Sequence, residues 1–210
     1  MIMQNYSQGI ITNKVFEFIF ECAMRDATLQ KAFKGEKNWI GKVTEAQLPL
    51  RKYIDKLFKN EFKSQQDHDF DFLKVANTIC KSINDKKPVD AEDTFSFGNA
   101  QKLINMTVKY CYSVCYFEPK KRALFQYCHC PLDSIMLNTV WKEYQEKFNQ
   151  KIDLKINFCK PWGDEGLSYG IQPKLDSYPN RYQQFQCAVK KLIGDSDIFP
   201  IEYDYLVWNK

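Results

Sequence analysis

Between residues 97 and 115 the apolar side chains recur at steps of three and four, and this period constrains the fold more than any other feature of the sequence. Because each residue of an α-helix is rotated by about 100° from the one before it, such residues fall on one stripe that must be buried against a neighbour. Either Thr94 or Ser96 can cap the predicted helix, since its side-chain oxygen accepts a free backbone N–H. The predicted buried stripe comprises Phe97, Ala100, Leu103, Ile104, Thr107, Val108, Cys111, Val114 and Cys115.

The opposite face of this helix carries polar and aromatic side chains. Lys102 and Lys109 are seven residues apart, so they lie on the same side of the helix. Two interpretations stay open: the face is solvated, or it lines a cleft around Lys109. The other residues of this face are Asn105, Tyr112, Ser113 and Tyr116.

A second helix follows after a short basic segment. The pair Glu118-Pro119 ends the first helix, because a residue before proline disfavours the α region, and residues 120–122 then form a predicted basic loop. Pro131 suits the first turn of the next helix and places Asp133 at its N-terminal end, where the helix dipole favours a carboxylate. Asp133 is therefore either a stabilising acid at a helix start or a functional carboxylate.

The rest of the chain alternates amphipathic helices with polar breaks, and strand signal is nearly absent, so we predict an all-α fold. Residues 150–175 are irregular. The alternation at 153–158 within them lacks a clear pairing partner, and we predict a long loop there. Further helices are predicted at 13–33, at about 44–62, from Asp67 or Asp69 to residue 85, at 178–194 and at 200–210.

Composition excludes some classes of protein. Hydrophobic residues at 44% and aromatic residues at 15% of 210 positions suffice for a sizeable core, which excludes a disordered tail. A net charge of +4 permits an anionic partner without requiring one. The sequence contains no long apolar run and no signal-peptide pattern, so we expect a cytoplasmic protein without a membrane partner.

The eight cysteines are expected to be reduced thiols in that compartment. The cluster Cys128-His129-Cys130 contains metal-ligand types, but adjacent ligands rarely close one tetrahedron, so no metal site is predicted. His68 lies in a polar run, QQDHD, and is predicted to be a solvated loop or helix-start residue. Four cysteines at apolar helical positions are predicted to be small core residues: Cys22, Cys80, Cys111 and Cys187.

Three motifs, in this order along the chain, resemble the helix-hairpin-helix DNA glycosylase superfamily, and most closely its archaeal 8-oxoguanine branch. In that branch a lysine lies in a long helix, as Lys109 does at the end of AQKLINMTVK. A loop follows, and the next helix opens with a P-x-D-S-type turn whose aspartate is catalytic, matched here by Asp133 in the turn at 131–134. The branch also has an aspartate four residues before a base-stacking tryptophan, the spacing of Asp204 and Trp208.

The resemblance implies one all-helical domain over residues 1–210, with two lobes and a cleft between them. It implies a monomeric DNA glycosylase that needs no cofactor, flips a modified base out of DNA and leaves an abasic site. The chain also resembles bacterial antiviral glycosylases that remove glucosylated hydroxymethylcytosine from phage DNA. Lys109 and Asp133 would be catalytic, and the residues implied to bind the base are Trp208, Asp204, Tyr112 and Tyr116.

The chemistry of base removal suits these residue types. A base inside a duplex must be extruded into a pocket before an enzyme can reach it. Cleavage of the N-glycosidic bond leaves an oxocarbenium-like sugar, which Asp133 would stabilise unless it activates the nucleophile instead. A desolvated Lys109 would attack C1′ and form a Schiff base, whereas a charged Lys109 would hold phosphate or the leaving group while water attacks. Both routes stay open.

The chain departs from the superfamily pattern at two places. The common hairpin carries a Gly-rich loop that grips phosphate through backbone N–H groups, and residues 118–130 contain no glycine. Contacts to the DNA backbone are therefore expected from Lys120, Lys121 and Arg122. Ser113 stands where the family has an aromatic residue one turn beyond the lysine, and a more open pocket for a larger base is our hypothesis.

Two rival functions remain at this point. One is a non-enzymatic helical interaction or inhibitor protein of a phage-defence system. The other is an all-helical RNase with an R-x(4–6)-H motif, since Arg122 and His129 are close in sequence. The glycosylase hypothesis requires Lys109, Asp133 and Trp208 to converge on one site.

Overall fold

The computed structural model describes residues 12–28, 44–89, 95–116, 118–149 and 181–208. Within these ranges the chain is helical and contains no strand, which confirms the all-α prediction for this part of the protein. The predicted loop at 150–175 lies outside the described residues. The α-helices are α1 (Asn13–Thr28), α2 (Gln47–Phe58), α3 (Gln65–Asn84), α4 (Phe97–Cys115), α5 (Pro119–Arg122), α6 (Ser134–Phe148), α7 (Arg181–Ile193) and α8 (Pro200–Trp208).

Helix boundaries follow local side-chain chemistry. The Ser96 hydroxyl accepts a hydrogen bond from the Asn99 backbone N–H at 3.3 Å, and the Asn99 carboxamide accepts one from the Ser96 backbone N–H at 3.1 Å. This capping box starts α4 as predicted. Ser64 caps α3 by accepting a hydrogen bond from the Asp67 N–H at 3.1 Å, so α3 begins at Gln65, before either predicted start, Asp67 or Asp69. Gly194, at φ +58°, follows the end of α7, as the sequence predicts.

Helix α4 is the centre of the described fold, because it packs against α1 and α3 and hydrogen-bonds to α7 and α8. Every residue of its predicted stripe is buried except Val114, which is 62% exposed. Asn105 and Tyr112, predicted on the polar face, are buried as well. These two residues are buried because α7 and α8 contact this face of α4. The Asn105 carboxamide donates to the Tyr182 hydroxyl of α7 at 3.0 Å, and the Tyr112 hydroxyl donates to Glu202 of α8.

Two predictions about single residues are wrong. His68 is completely buried, because the earlier start of α3 puts it on the inner face of the helix with Phe72 and Ala76, one and two turns further on. Cys187 is exposed on α7 and is not a core residue, whereas Cys111 is buried and Cys22 and Cys80 are half-buried. The polar run around His68 and the helical period at Cys187 thus each predicted the wrong environment.

The chain between α4 and α6 is more ordered than a basic loop. Pro119 occupies the first position of the short helix α5, and a 3-10 helix, Ala123–Phe125, continues it. Pro131 is buried but precedes α6 and does not lie in its first turn. Asp133 is the N-cap of α6, which agrees with the predicted position of this carboxylate at the helix start. In the described part of the chain, no helix is both long and apolar enough to cross a membrane.

Candidate functional site

An ion pair joins α4 to α8 at the middle of the protein. The Lys109 ammonium donates to Oδ2 of Asp204, and the side chains are only 15% and 4% exposed. The ammonium also lies 4.6 Å from the centre of the Tyr205 ring, and the Tyr205 hydroxyl donates to the Lys109 backbone oxygen at 3.2 Å. Removing two charges from water is costly, and these additional contacts help to offset that cost.

Asp204 is the buried carboxylate around which the predicted site residues gather. Burial raises its pKa, whereas the hydrogen bond and charge of Lys109 lower it. The negative charge of Asp133 raises the pKa further, and a hydrogen bond from the Trp208 indole lowers it. The net pKa of Asp204 is raised. Lys109, Asp133 and Trp208 therefore all act on one carboxylate, and this part of the predicted site is brought together.

The Asp133 carboxylate has one oxygen in use and one available. Its Oδ1 accepts a hydrogen bond from the Met136 backbone N–H at 2.9 Å, which caps α6. Within the described residues no hydrogen bond reaches Oδ2. The side chain is half-buried, so the carboxylate combines a position fixed by the cap with partial exposure.

Cys130 also lines this site. From the sequence it stood out only as part of the Cys128-His129-Cys130 cluster, for which no metal site is predicted. The thiol is completely buried, and burial together with the charge of Asp204 raises its pKa. Lys109 and Asp133 also act on it electrostatically. A protonated thiol in such surroundings is a small apolar group and not a nucleophile.

Beside this site lies a second charged cluster, centred on Glu202. The Arg122 guanidinium binds Glu202 with two hydrogen bonds, Nε to Oε1 at 2.7 Å and Nη2 to Oε2 at 2.8 Å. It also lies 4.4 Å from the centre of the Phe199 ring. Burial raises the pKa of Glu202, but the hydrogen bonds from Arg122 and Tyr112 outweigh it, and the net pKa is lowered. Sequence reasoning missed Glu202, whose only local signal is its position in the first turn of α8.

The predicted DNA-backbone residues therefore have different surroundings. Lys120 is exposed, and Lys121 is half-buried with its ammonium 2.6 Å from Oε1 of Glu118. Arg122 is half-buried, and its guanidinium is engaged by the two hydrogen bonds to Glu202 and by Asp197. Tyr116 is 53% exposed, whereas Tyr112 is buried and its hydroxyl is used by Glu202.

A separate buried cluster contains both histidines of the chain. Oδ1 of Asp69 lies 2.8 Å from Nε2 of His129 and 3.3 Å from Nδ1 of His68. Burial is the main cause that lowers the pKa of His68 to about 4, so its imidazole is neutral. Burial raises the pKa of Asp69, but its hydrogen bonds with His129 and His68 make the net shift downward. Arg122 and His129 belong to different clusters and do not share a helix, unlike the pair that the RNase hypothesis requires.

Neutral amide side chains hold the linking segment, residues 127–132, that leads to Asp133. Gln186 of α7 binds both backbone groups of Cys130, accepting from its N–H at 3.0 Å and donating to its oxygen at 2.7 Å. Gln101 of α4 donates to the Leu132 oxygen at 2.7 Å. Gln65 of α3 donates to the Tyr127 oxygen at 2.9 Å. Three helices therefore fix this non-helical segment and, with it, the start of α6.

The described fold and site define an all-helical protein with a buried lysine–aspartate pair, a second carboxylate at a helix start and a half-exposed indole. Comparison of the chain with protein-family models, with curated proteins and with solved structures gives no match. The functional argument therefore depends on the residues of the site itself.

Proposed function

We propose that this protein is a DNA glycosylase, which flips a modified base out of DNA and cleaves its N-glycosidic bond. One observation carries the proposal: Lys109, Asp133 and Trp208 all act on the buried carboxylate of Asp204. Trp208 is a neighbour of Asp204 on α8, whereas Lys109 and Asp133 come from other parts of the chain. Clustered ionisable groups with perturbed titration are typical of functional sites.

Each group has a part in the proposed reaction. The extruded base would stack on the indole of Trp208, which is 53% exposed and so has a face free for a ligand. The available oxygen of Asp133 would stabilise the positive sugar that forms as the bond to the base breaks. Asp204 would hold Lys109 in position through their ion pair.

The ion pair bears on the choice of nucleophile. It keeps the Lys109 amine as an ammonium, which cannot attack C1′. The amine becomes a nucleophile when its proton moves to Asp204, a step that the raised pKa of this buried carboxyl favours. The amine nitrogen would then bond to C1′ as the base leaves with the electron pair of the broken bond, and the base would take up the proton that Asp204 had accepted. With the proton retained, water attacks instead.

The substrate is proposed to be a base larger than a normal one, with glucosylated hydroxymethylcytosine as one candidate. Ser113 follows Lys109 by one turn and is exposed, and its hydroxyl lies 2.5 Å from the Tyr205 hydroxyl. A small polar residue there leaves space on the side where the resembling branch has an aromatic ring. The two-lobed arrangement with a cleft is part of this proposal.

Incubation of the protein with duplexes that each carry one modified base tests the proposal. Alkali cleavage at abasic sites would report base release. We expect release from at least one duplex and none from unmodified DNA. Asp133→Asn is the matched variant: asparagine caps a helix as well as aspartate does, so the fold should persist while base release is lost. Equal base release by Asp133→Asn would overturn the proposal.

A non-enzymatic interaction protein is the second candidate. The helices of the ion pair also carry large exposed apolar side chains, a feature of protein-binding surfaces. In that case no duplex would lose a base, and Asp133→Asn would behave as wild type in every assay. These exposed side chains are Val114 and Tyr116 near the end of α4, and Leu206 and Trp208 on α8.

A further inference from the structure

Three side chains with metal-ligand atoms meet where α3 contacts the linking segment. They are His68, Asp69 and His129, and their ligand atoms all lie within 4.8 Å of one another. His68 and His129 are 0% and 4% exposed, whereas the Asp69 side chain is 30% exposed. Solvent therefore reaches the cluster from the carboxylate side only.

The second ring nitrogen of each histidine is held by a buried tyrosine. Nε2 of His68 lies 2.5 Å from the Tyr53 hydroxyl, and Nδ1 of His129 lies 2.8 Å from the Tyr182 hydroxyl. Metal-binding histidines are usually oriented in this way, with one nitrogen on the ion and the other in a hydrogen bond to a second group. In each imidazole one ring nitrogen therefore lies beside Asp69 and the other is hydrogen-bonded to a tyrosine, as in a metal-binding histidine.

The separations suit a small divalent ion. Bonds of about 2.0–2.1 Å in a tetrahedron place neighbouring ligand atoms about 3.3 Å apart. Asp69 Oδ1 lies 2.8 Å from His129 Nε2 and 3.3 Å from His68 Nδ1, and all three ligand atoms lie within 4.8 Å of one another. Side-chain rotations that bring all three separations to about 3.3 Å would admit an ion. Two imidazole nitrogens and one carboxylate oxygen are ligands that Zn²⁺ accepts, with water in the fourth position.

Ion binding requires no change in the net protonation of the imidazoles. Where both neutral imidazoles donate to Asp69, the protons are on His68 Nδ1 and His129 Nε2. On ion binding each proton would move to the opposite nitrogen of its ring, which frees a lone pair on Nδ1 of His68 and on Nε2 of His129 for the ion. The Tyr53 and Tyr182 hydroxyls serve either tautomer, because a hydroxyl both donates and accepts.

Two neighbouring side chains would affect a bound cation: one would repel it, and the other would share a ligand oxygen with it. The positive charge of Lys190 is close enough to interact with both His68 and Asp69, so it would repel a cation. The Gln65 amide donates to Asp69 Oδ1 at 2.7 Å, and a bound ion would share this oxygen. One carboxylate offsets half of the ion's charge, which leaves the site less strongly binding than one with more anionic ligands.

We propose that His68, Asp69 and His129 bind one divalent transition-metal ion, with Zn²⁺ favoured, and that the ion fastens α3 to the linking segment. The same atoms also satisfy one another as hydrogen bonds, so the test must detect the ion directly. The proposal is independent of the glycosylase proposal, since its measurements are of binding and stability.

Titration of the chelator-treated full chain with Zn²⁺ against a chromophoric chelator tests the proposal, with Co²⁺ absorption as a second measurement. We expect one ion per chain, a visible Co²⁺ spectrum of tetrahedral type and a higher melting temperature with Zn²⁺. His129→Gln and Asp69→Asn should lose at least about tenfold in affinity, as losses at metal sites commonly do. Asp71→Asn, on the same helix and paired with Lys56, should bind as wild type.

Tyr182→Phe keeps all three ligands and removes only the hydroxyl that supports His129, so it should weaken Zn²⁺ binding even if the ligand variants do not fold. The wild-type Co²⁺ spectrum needs no variant at all. A wild-type chain that takes up no Zn²⁺ and gives no tetrahedral Co²⁺ spectrum would overturn the proposal. So would Zn²⁺ binding of unchanged affinity in folded Asp69→Asn and His129→Gln.

Discussion

Lys109 and Asp204 form an ion pair that connects α4 to α8, although 95 positions separate them in the chain. Both side chains are largely removed from water, so each needs the other's charge. The pair is therefore a structural contact between the two helices and also the centre of the proposed site.

Replacement of Lys109 by methionine should destabilise the protein because it leaves the Asp204 carboxylate buried without its counter-charge. The expected loss in free energy of unfolding is about 3 kcal/mol, the scale for removing one partner of a buried pair. Urea unfolding followed by circular dichroism would measure it. Adding Asp204→Leu should recover part of the loss, and a Lys109→Met protein as stable as wild type would contradict the prediction.

Lys109→Gln separates the two proposed routes of base release. We expect this variant to lose at least about 100-fold in rate, the scale for removing one charged group from an active site. If the amine is the nucleophile, borohydride should trap wild type on the substrate DNA and leave the variant untrapped. Lys102→Gln, seven residues earlier on the same helix, is the control and should keep its activity. Full activity of Lys109→Gln would remove Lys109 from the reaction.

The Glu202 cluster predicts a specific loss of stability in acid. The pKa of Glu202 is lowered in the folded protein from an ordinary value of 4.5, so its contribution is present above that pH. The contribution disappears as pH falls through the folded pKa. Unfolding of wild type and Glu202→Gln should therefore differ at pH 6 and converge as the pH falls below 4.5. A difference that stays constant with pH would contradict this linkage. Glu146→Gln is the control, since that side chain is 64% exposed.

Binding of DNA should depend on Lys120 and Lys121 but not on the charge of Arg122. Replacing both lysines by alanine should weaken binding and reduce the slope of log K against log salt by about 2, because each phosphate contact contributes about 0.9. Arg122→Ala should lower stability through the loss of its two bonds to Glu202 and leave the slope unchanged. Fluorescence anisotropy at several salt concentrations would measure the slopes. Lys59→Ala, just after α2, is the matched control, and an unchanged slope in the double variant would exclude the two lysines from the interface.

Local features of the sequence were sufficient to predict much of the fold. The cap at Ser96, the apolar period of α4, the stop at Gly194 and the proline that starts α8 each act within a few residues, so the sequence displays them directly. The position of Asp133 at a helix start was predictable for the same reason. Spacing and motif order also predicted a set of residues that share a site.

Contacts between distant polar residues could not be predicted in this way. His68 meets Asp69 beside it, but its burial depends on Tyr53 and on His129, and no local pattern shows those partners. Arg122 lies in a basic run typical of a solvated surface, yet Glu202, 80 positions away, binds its guanidinium and leaves the side chain only 24% exposed. A polar side chain is normally predicted to be exposed, and only the tertiary fold reveals a partner that permits its burial.

The hydrogen bonds from neutral amide side chains to the linking segment make the position of Asp133 insensitive to ionic strength. Gln186 and Gln101 carry no net charge, so dissolved salt hardly weakens their hydrogen bonds to Cys130 and Leu132. Salt does screen exposed charges such as that of Lys120. A change in ionic strength would therefore alter the rate at which the proposed anionic partner, DNA, associates with the protein. It would leave the position of the Asp133 carboxylate intact, so the association rate and the geometry of the site respond to salt separately.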